Sequence, residues 1–431
     1  MNTLAFAALL VGQPAPSPEP KPVPATRTEI KAAMEGHKSA RPRIPFPPGE
    51  GDGPLAKVNN GRFRAYYLPA EFGAGGTGGR GGTPDDTATL DNTFKTRLFW
   101  VVSRVNNCYY CLGHQEYKLS AAGLTDDEIA ALDGDWDALA PNLRAAVRFT
   151  RKLTVAPHTI TDADVAELRT HFSANQCSEI VLAVAGFNAT NRWTDGLNIP
   201  GEAGGDFFAK EGKKVAGFDT PASPKYAGFV SQVAALPEKC VKASAPAWPA
   251  RPKLEDRAAV EAAWAAARSP RLPVADDAKA LGYDGAAPNW AKLLAVFPNG
   301  MKGRAAGLKA AADGGKLSPR LKAAVAWAAA REDRAWYALA VARDRLKAVG
   351  LTDDQIFGLD GDAAALPEKE RRALAFARKL SAAPATVTDA DVEALRMEFT
   401  DFEVAELVHH VCNAAFFDRA TEVARLPYDA K

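Results

Sequence analysis

The chain has 431 residues, of which 47% are hydrophobic and 24% charged, a balance typical of globular proteins with two or three domains. The formal net charge of +1 gives no overall attraction to nucleic acid or to an anionic membrane, so neither is predicted as a partner. Five cysteines are too few for a disulfide framework in a chain of this length, and no apolar run is long enough to span a bilayer.

The N-terminal residues 1–25 combine a short apolar run, LAFAALLVG, with a proline-rich stretch, PAPSPEPKPVPA. The apolar run has the length of a signal-peptide core, but the positively charged start that usually precedes such a core is missing. We therefore expect either a signal or a disordered tail, and the sequence leaves an exported and a cytoplasmic location both open. The proline-rich stretch favours an extended backbone that does not pack.

A glycine-rich stretch, GAGGTGGRGGTPDD at 73–86, lacks the GK[ST] ending and the preceding strand of a phosphate-binding loop. We interpret it as a flexible loop that can act as a lid beside the site described below.

Helical patterns follow in succession. Residues 94–105 form an apolar helix, the asparagines at 106–107 interrupt it and supply a cap, and a second helix starts at about Cys108 and ends before Gly123. The segment beginning at Thr125 opens with a capping box. Three more helices are predicted in PNLRAAVRFTRKLT, TITDADVAELRTHF and SEIVLAVAGFNATNRWTDGL, the last apolar enough to form the centre of the bundle.

The second half of the chain repeats the first. AGLTDDEIAALDGDWDAL, from Ala122, aligns with VGLTDDQIFGLDGDAAAL, from Val349, and the same offset of 227 residues aligns the following segment without a gap. More than half of the positions from Gly123 to Phe172 are identical, which indicates a tandem duplication. The predicted organisation is a tail at 1–25, a helical domain at 26–235, a proline-rich linker at 236–255 and a second helical domain at 256–431.

Two cysteines and a histidine stand close together in NNCYYCLGHQEYKL, which contains Cys108, Cys111 and His114. A c-type haem site requires histidine directly after the second cysteine, where this chain has Leu112. A structural zinc site requires four ligands, and Cys177 would have to supply the fourth from a distant segment. A thioredoxin-like site requires a preceding strand, but these flanks are helical. The pattern favours a redox dithiol at a helix start in an all-α domain.

The helix start makes both thiols candidates for chemistry. Unpaired N–H groups and the helix dipole stabilise a thiolate in the first turn, and the dipole alone favours Cys108 over Cys111 as the more acidic thiol. With a spacing of i and i+3, the two thiols share a face and can form a disulfide. His114, three residues beyond Cys111, can act as a base or as a hydrogen-bond partner.

The helix–CxxC–helix pattern, the following GLTDDEI and the later NATNRWTDGL resemble the alkylhydroperoxidase D-like, or carboxymuconolactone decarboxylase-like, superfamily. The resemblance covers residues 94–200, with residues 321–426 as a degenerate copy. It implies an all-α fold, assembly into a homo-oligomer and peroxiredoxin-type antioxidant activity without a cofactor. Cys111 would attack a hydroperoxide and Cys108 would form the disulfide, which a lipoyl group or a thioredoxin-like protein would reduce. The decarboxylase branch does not use a CxxC pair, so decarboxylation is not expected.

Two positions depart from the pattern of that family. Gln115 stands at the position of the family histidine, and His114 lies one residue earlier, about 100° away around the helix. Thr96 stands at the position of the family glutamate. The resemblance therefore implies a preserved dithiol without the usual proton relay.

The second half lacks this chemistry. The repeat offset places Ala335, Ala338 and Val341 at the positions of the cysteines and the histidine. We expect a structural role in which the second half buries the face that a second subunit covers in a single-repeat relative. His409 and His410 are neighbours in a predicted helix, so their side chains diverge by about 100°, and we interpret them as core or interface residues.

The remaining cysteines fit simpler roles. Cys177 and Cys412 are interpreted as buried, Cys240 as a free thiol in the linker, and Arg192 as a structural arginine that ties helices together. A second hypothesis stays open, namely a non-catalytic scaffold protein of the same fold whose CxxC pair is vestigial or binds a metal.

Overall fold

The computed structural model describes residues 19–49, 58–73, 85–134, 136–202 and 253–429. Within these ranges the chain forms seventeen α-helices, joined by turns and short 3₁₀ segments, and no β-strand. The all-α class predicted from the sequence is confirmed. In this part of the chain no helix combines the length and the apolar character needed to cross a membrane.

Several predicted features lie largely outside the described residues. They are the apolar run near the N-terminus, most of the glycine-rich stretch at 73–86, and the linker at 236–255 with Cys240.

The helices of the first half are α1 (Arg27–Gly36), α2 (Asn59–Tyr67), α3 (Asn92–Asn106), α4 (Tyr109–Ala121), α5 (Asp126–Ala130), α6 (Pro141–Val155), α7 (Asp162–Arg169) and α8 (Ala174–Gly196). Those of the second half are α9 (Arg257–Ala265), α10 (Asn289–Leu294), α11 (Pro298–Asp313), α12 (Pro319–Asp333), α13 (Trp336–Ala348), α14 (Asp353–Gly358), α15 (Glu368–Ala382), α16 (Asp389–Arg396) and α17 (Asp401–Ala424).

Helices α3 to α8 and α12 to α17 form the same succession in the two halves. Asn107 and Asn198 have the left-handed backbone conformation in the first half, and Arg334 and Arg425, each 227 residues later, have it in the second. This conformation is uncommon for residues other than glycine. Its recurrence at matched positions shows that the duplication has preserved the backbone as well as the sequence.

Capping boxes start the helices at matched positions too. Thr125 begins α5, Thr161 begins α7 and Ser173 begins α8, each side chain accepting a hydrogen bond from the backbone N–H three residues later. The boxes of the second half are formed by Thr352, Thr388 and Thr400. The helix starts predicted at Thr125 and Thr161 are confirmed.

Helices α8 and α17 form the centre of the molecule. They pack against each other more extensively than any other pair of helices in the described residues, and nearly all of their side chains are buried. A helix that is apolar on every side has to be covered on every side, and the surrounding helices supply that cover. The largest apolar cluster draws side chains from both halves, so the halves share a core.

The contacts between the two halves are reciprocal. Arg192 Nη2 donates a hydrogen bond to the backbone oxygen of Ser381 at 2.8 Å, and Arg419 Nη2 donates one to the backbone oxygen of Thr154 at 2.9 Å. Arg192 and Arg419 are equivalent in the two repeats, as are Thr154 and Ser381. Each half therefore holds the other in the same way, as in a twofold-symmetric dimer. The prediction that Arg192 ties helices together is confirmed.

A second reciprocal pair lies elsewhere in the same interface. Arg43 of the first half binds Asp389 of the second, with 2.8 Å between Nε and Oδ1. Arg271 of the second half binds Asp162 of the first, again between Nε and Oδ1. Because Asp162 and Asp389 are equivalent residues, this pair repeats the symmetry of the arginines on α8 and α17.

Candidate active site

The cysteine pair lies where α3 ends and α4 begins. Asn107 turns the chain with a left-handed backbone (φ 55°) at the end of α3. Cys108 is the N-cap of α4, and its Sγ accepts a hydrogen bond from the Cys111 N–H at 3.3 Å. The predicted helix start near Cys108 is confirmed, but the predicted asparagine cap is wrong. The turn at Asn107 places the cysteine sulfur, rather than an amide oxygen, over the first turn of the helix.

Both cysteines of the pair are free thiols in the structure and share a hydrogen-bond partner. Cys108 is 0% exposed and Cys111 is 2% exposed. Thr194 Oγ1, on α8, lies 3.1 Å from the Cys108 sulfur and 3.2 Å from the Cys111 sulfur. One hydroxyl that contacts both sulfur atoms holds them on the same side of α4, as a disulfide between them requires.

The environment of Cys108 disfavours its thiolate. Burial raises the pKa of this thiol well above its ordinary value, and the hydrogen bond with Cys111 and the negative charge of Asp195 raise it further. Burial also raises the pKa of Asp195, against the positive charges of Lys21 and Arg43. The shift of the Cys108 pKa is therefore opposite to the one that the helix dipole alone would produce. Desolvation and a neighbouring carboxyl group outweigh the dipole.

Residues 19–25, which we call the proline strap, lie over this site. The Pro22 carbonyl oxygen accepts hydrogen bonds from the Asn107 side chain at 3.0 Å and from the Tyr109 hydroxyl. Lys21 forms an ion pair with Asp195, whose side chain is 2% exposed. The expectation that the proline-rich stretch does not pack is therefore wrong for the proline strap. Its backbone is extended, but its carbonyl oxygens bind the polar side chains beside the dithiol.

His114 lies in a second polar cluster beside α4. Its Nε2 lies 2.7 Å from Glu202 Oε2, and the Tyr110 hydroxyl donates to Glu202 Oε1 at 2.9 Å. The Asn59 N–H, at the start of α2, donates to the same carboxylate at 2.9 Å. Burial raises the pKa of Glu202, but the positive charge and hydrogen bond of His114, together with these hydrogen bonds from Asn59 and Tyr110, outweigh it and lower the pKa to about 2. Glu202 is therefore an ionised partner for His114.

The second half contains the same carboxylate cluster without the histidine. The Tyr337 hydroxyl donates to Asp429 at 2.7 Å, and the Asn289 N–H donates to it at 2.7 Å. Asp429 stands 227 residues after Glu202, and Val341 stands at the position of His114. In both halves, therefore, a carboxylate accepts hydrogen bonds from a tyrosine hydroxyl and from the N–H at a helix start. His114 is an addition found in the half that also carries the thiols.

Gln115 and Thr96, the two residues that depart from the family pattern, form side-chain hydrogen bonds within their own helices. Gln115 Nε2 donates to the Cys111 carbonyl oxygen at 3.1 Å, and the Thr96 hydroxyl donates to the Asn92 carbonyl oxygen at 2.7 Å. Neither side chain forms a relay towards the sulfur atoms through these bonds. The acidic partner of the site histidine comes from Glu202, beyond the end of α8.

The remaining predicted residues are buried as expected. Burial raises the pKa of Cys177 to about 11 and that of Cys412 to about 12. His409 and His410 lie inside α17, and desolvation lowers the pKa of both. In the described part of the chain, no three His, Cys, Asp or Glu side chains are grouped so that they could hold a metal ion.

Sequence reasoning did not find Thr194, Asp195 or Glu202. The first two lie in NATNRWTDGL, far from the cysteines in sequence, and only the packing of α8 against α4 brings them together. Glu202 follows a helix, where no periodicity marks it. The duplication does hold a signal for it, because an acidic residue, Asp429, recurs at the repeat offset.

No protein-family model matches the chain, and no curated protein is significantly similar to it. The fold and the site define its class. It is an all-α tandem repeat with a buried CxxC dithiol in its first half.

Proposed function

We propose that this protein is a thiol-dependent oxidoreductase of the alkylhydroperoxidase D-like superfamily that reduces hydroperoxides through Cys111 and Cys108. The observation that carries the proposal is the contact of both reduced thiols with Thr194 Oγ1 at the first turn of α4. The raised pKa of Cys108 supports Cys111 as the attacking residue. A resolving thiol has to lose its proton only after the first step, when a sulfenic acid has formed.

The proposed reaction has two steps within the protein. The Cys111 thiolate attacks the terminal oxygen of the hydroperoxide, an S–O bond forms, the O–O bond breaks, and the alkoxide takes a proton to become the alcohol. The Cys108 sulfur then attacks the Cys111 sulfenic acid, the S–S bond forms, the S–O bond breaks, and water leaves with the Cys108 proton. A lipoyl dithiol or a thioredoxin-like protein supplies two electrons and two protons to restore both thiols.

The pair of His114 and Glu202 supports a proton-transfer role in this scheme. An ionised carboxylate 2.7 Å from the imidazole holds the ring in place, and an imidazole is a group that can supply the proton that the alkoxide takes. The ring of His114 also stacks on Tyr110, with 4.5 Å between centroids, so its orientation is fixed. In this proposal His114 and Glu202 take over the task for which Gln115 and Thr96 are unsuited.

The burial of the dithiol implies that reduction requires an opening. Neither thiol offers surface to a protein reductant, because Cys108 is 0% and Cys111 2% exposed. The proline strap is the segment whose displacement would uncover the Cys108 side of the pair, since it is held by the Lys21–Asp195 ion pair and by a few hydrogen bonds. We infer that the reductant acts on a state in which this segment has moved.

A structural alternative rests on the same burial. A protein of this fold that serves as a scaffold, with a vestigial CxxC pair, would also keep both thiols enclosed. The reciprocal contacts between the halves support the view that the second half replaces a partner subunit, and assembly of further copies into a homo-oligomer is part of the proposal.

Single-turnover oxidation of the pre-reduced protein by cumene hydroperoxide tests the proposal. The variants are Cys111→Ser, Cys108→Ser and, as a matched control, Cys177→Ser at a buried thiol outside the site. We expect the wild type and the control to react faster than free cysteine and to form the Cys108–Cys111 disulfide by mass spectrometry. Cys108→Ser should stop at the sulfenic acid and Cys111→Ser should not react. A wild-type rate no faster than free cysteine supports the scaffold instead.

A further inference from the structure

Two arginine side chains, Arg64 and Arg304, lie over aromatic rings of the central helices α8 and α17. Arg64, on α2, is 7% exposed, and its guanidinium carbon lies 4.5 Å from the centroid of the Trp193 ring. Arg304, on α11 of the second half, lies in the same way over Phe416, at 4.6 Å. Burial, together with the nearby charge of Arg64, lowers the pKa of Arg304 to about 10. Each cation thus lies over an aromatic ring of a central helix, and the charge of Arg64 acts on Arg304.

Neither guanidinium has a carboxylate partner within the described residues. Arg64 donates one hydrogen bond, from Nε to Asn60 Oδ1 at 3.1 Å, and its two terminal nitrogens make none to that part of the chain. Two buried polar atoms of the neighbouring rings, Trp193 Nε1 and His409 Nδ1, have no hydrogen-bond partner there. A buried charge without a counter-charge is unfavourable, so these donors point to a ligand that brings the negative charge.

These side chains form one group, which we call the arginine cluster. The rings of Trp193 and His409 lie edge to face, with 6.4 Å between centroids. His409 and Phe416 are seven residues apart on α17, two helical turns on the same face. The arginine cluster therefore consists of Arg64, Arg304, Trp193, His409 and Phe416.

The arginine cluster is connected to the dithiol. Trp193 directly precedes Thr194, whose hydroxyl contacts both sulfur atoms. Asn60, which accepts the hydrogen bond from Arg64, donates its backbone N–H to the Tyr110 hydroxyl at 3.2 Å, in the first turn of α4. Burial lowers the pKa of Arg64, and the nearby side chains of Cys412, Tyr110 and Cys111 oppose this effect, in that order. The guanidinium thus lies within electrostatic reach of the proposed attacking sulfur.

Arg64 and Trp193 of the arginine cluster have no counterpart of the same residue type in the second half. Asn289 and Trp290 make the hydrogen bonds in α10 that Asn59 and Asn60 make in α2, which places Leu294 at the position of Arg64. The repeat offset places Ala420 at the position of Trp193. The half that lacks the two cysteines therefore also lacks the arginine and the tryptophan. Structural features of the fold recur in both halves, as the tyrosine–carboxylate cluster does, whereas these two residues are present only where the thiols are.

We propose that Arg64 and Arg304 bind the carboxylate of an apolar carboxylic acid at the junction of the two halves, beside the Cys108–Cys111 dithiol. Guanidinium groups bind carboxylates with paired, charge-assisted hydrogen bonds. The aromatic rings of Trp193 and Phe416 suit the apolar part of such a molecule better than a small inorganic anion. Where the dithiol is a peroxidase, which rests on the function proposed above, the favoured substrates are hydroperoxides that carry a carboxylate.

Binding of decanoate to the full-length, reduced protein by isothermal titration calorimetry is the direct test, with decanol and inorganic phosphate as comparison probes. We expect decanoate to bind at least about tenfold more tightly than either probe. Arg64→Gln and Arg304→Gln should each weaken decanoate binding by about tenfold or more, and Arg257→Gln, an exposed arginine of α9, should not. Equal binding of decanol, tighter binding of phosphate, or unchanged binding by Arg64→Gln overturns the proposal.

A thermal melt separates loss of binding from loss of folding. Removing a buried, uncompensated charge does not lower stability in the absence of ligand, so Arg64→Gln should melt no lower than the wild type. Decanoate should raise the melting temperature of the wild type and leave that of Arg64→Gln unchanged. A variant that melts well below the wild type and is still stabilised by decanoate contradicts an anion site at Arg64.

Activity distinguishes this site from the proposed function. Oxidation by linoleic acid hydroperoxide is compared with oxidation by its methyl ester, in the wild type and in Arg64→Gln. We expect the wild type to prefer the acid and the variant to lose this preference while still reacting with cumene hydroperoxide. Decanoate binding without peroxidase activity refutes the function and keeps the site. Peroxidase activity with equal rates for acid and ester, and without decanoate binding, refutes the site and keeps the function.

Discussion

Replacing Glu202 with glutamine removes the carboxylate that joins His114, Tyr110 and the start of α2. The pKa of Glu202 is about 2, below its ordinary value of 4.5, because the charge and hydrogen bond of His114, followed by the hydrogen bonds of Asn59 and Tyr110, outweigh the effect of burial. One pKa unit corresponds to about 1.4 kcal/mol, so the ionised carboxylate contributes about 3 kcal/mol to folding at neutral pH. The side chain is 19% exposed, and with some solvent screening we expect Glu202→Gln to lose about 2 kcal/mol.

The contribution of Glu202 depends on pH in a defined direction. Its pKa is lower in the folded protein than in the unfolded chain, so the stabilisation is complete above the unfolded value of 4.5 and is lost as the pH falls towards about 2. The free energies of unfolding of the wild type and of Glu202→Gln should therefore differ most at neutral pH and converge in acid.

Urea titrations followed by circular dichroism between about pH 7 and pH 3 measure this difference. Asp429→Asn is the matched control, because Asp429 makes the same contacts with Tyr337 and the Asn289 N–H but has Val341 at the histidine position. We expect a smaller loss for the control. If Glu202→Gln costs no more than Asp429→Asn, or if its effect is constant with pH, the charge of His114 is not what holds this carboxylate ionised.

Two further substitutions test the dithiol and the interface. Thr194→Val removes the hydroxyl that contacts both sulfur atoms. A hydrogen bond donated to the reacting thiolate stabilises it by about 1 kcal/mol, so its loss should slow alkylation by iodoacetamide by about fivefold. Thr421→Val, at the equivalent position, should leave the rate unchanged, and equal rates for both variants would remove Thr194 from the site. Arg419→Met takes the guanidinium away from Asp333, which is 1% exposed, and should lower the free energy of unfolding by about 3–5 kcal/mol in urea titrations. A loss below about 1 kcal/mol would show that this ion pair contributes little.

The helical framework could be predicted because its signals are local. Thr125 and Thr161 start helices through hydrogen bonds to residues three positions away, and Gly123 ends α4 with a left-handed backbone (φ 91°). The repeat identifies equivalent positions in the two halves by direct alignment of their residues. These interactions depend on short stretches of sequence, so sequence patterns are enough to find them.

The electrostatics of the site could not be predicted in the same way. The helix start at Cys108 indicated an acidic thiol, but burial under distant residues reverses the shift of its pKa. Lys21 of the proline strap and Asp195 of α8 meet only in the folded chain. Composition correctly indicated an extended proline-rich segment, yet it does not tell whether free carbonyl oxygens bind to water or to neighbouring side chains.

The reciprocal contacts of Arg192 and Arg419 have a further consequence, because the two halves belong to one chain. A dimer of separate chains dissociates on dilution, whereas tethered halves meet at a fixed effective concentration, so their association does not depend on expression level. Identical subunits also change together when the sequence changes. Covalent tethering allows the halves to differ, and Ala335 and Ala338 can replace thiols in one half while the other keeps its chemistry.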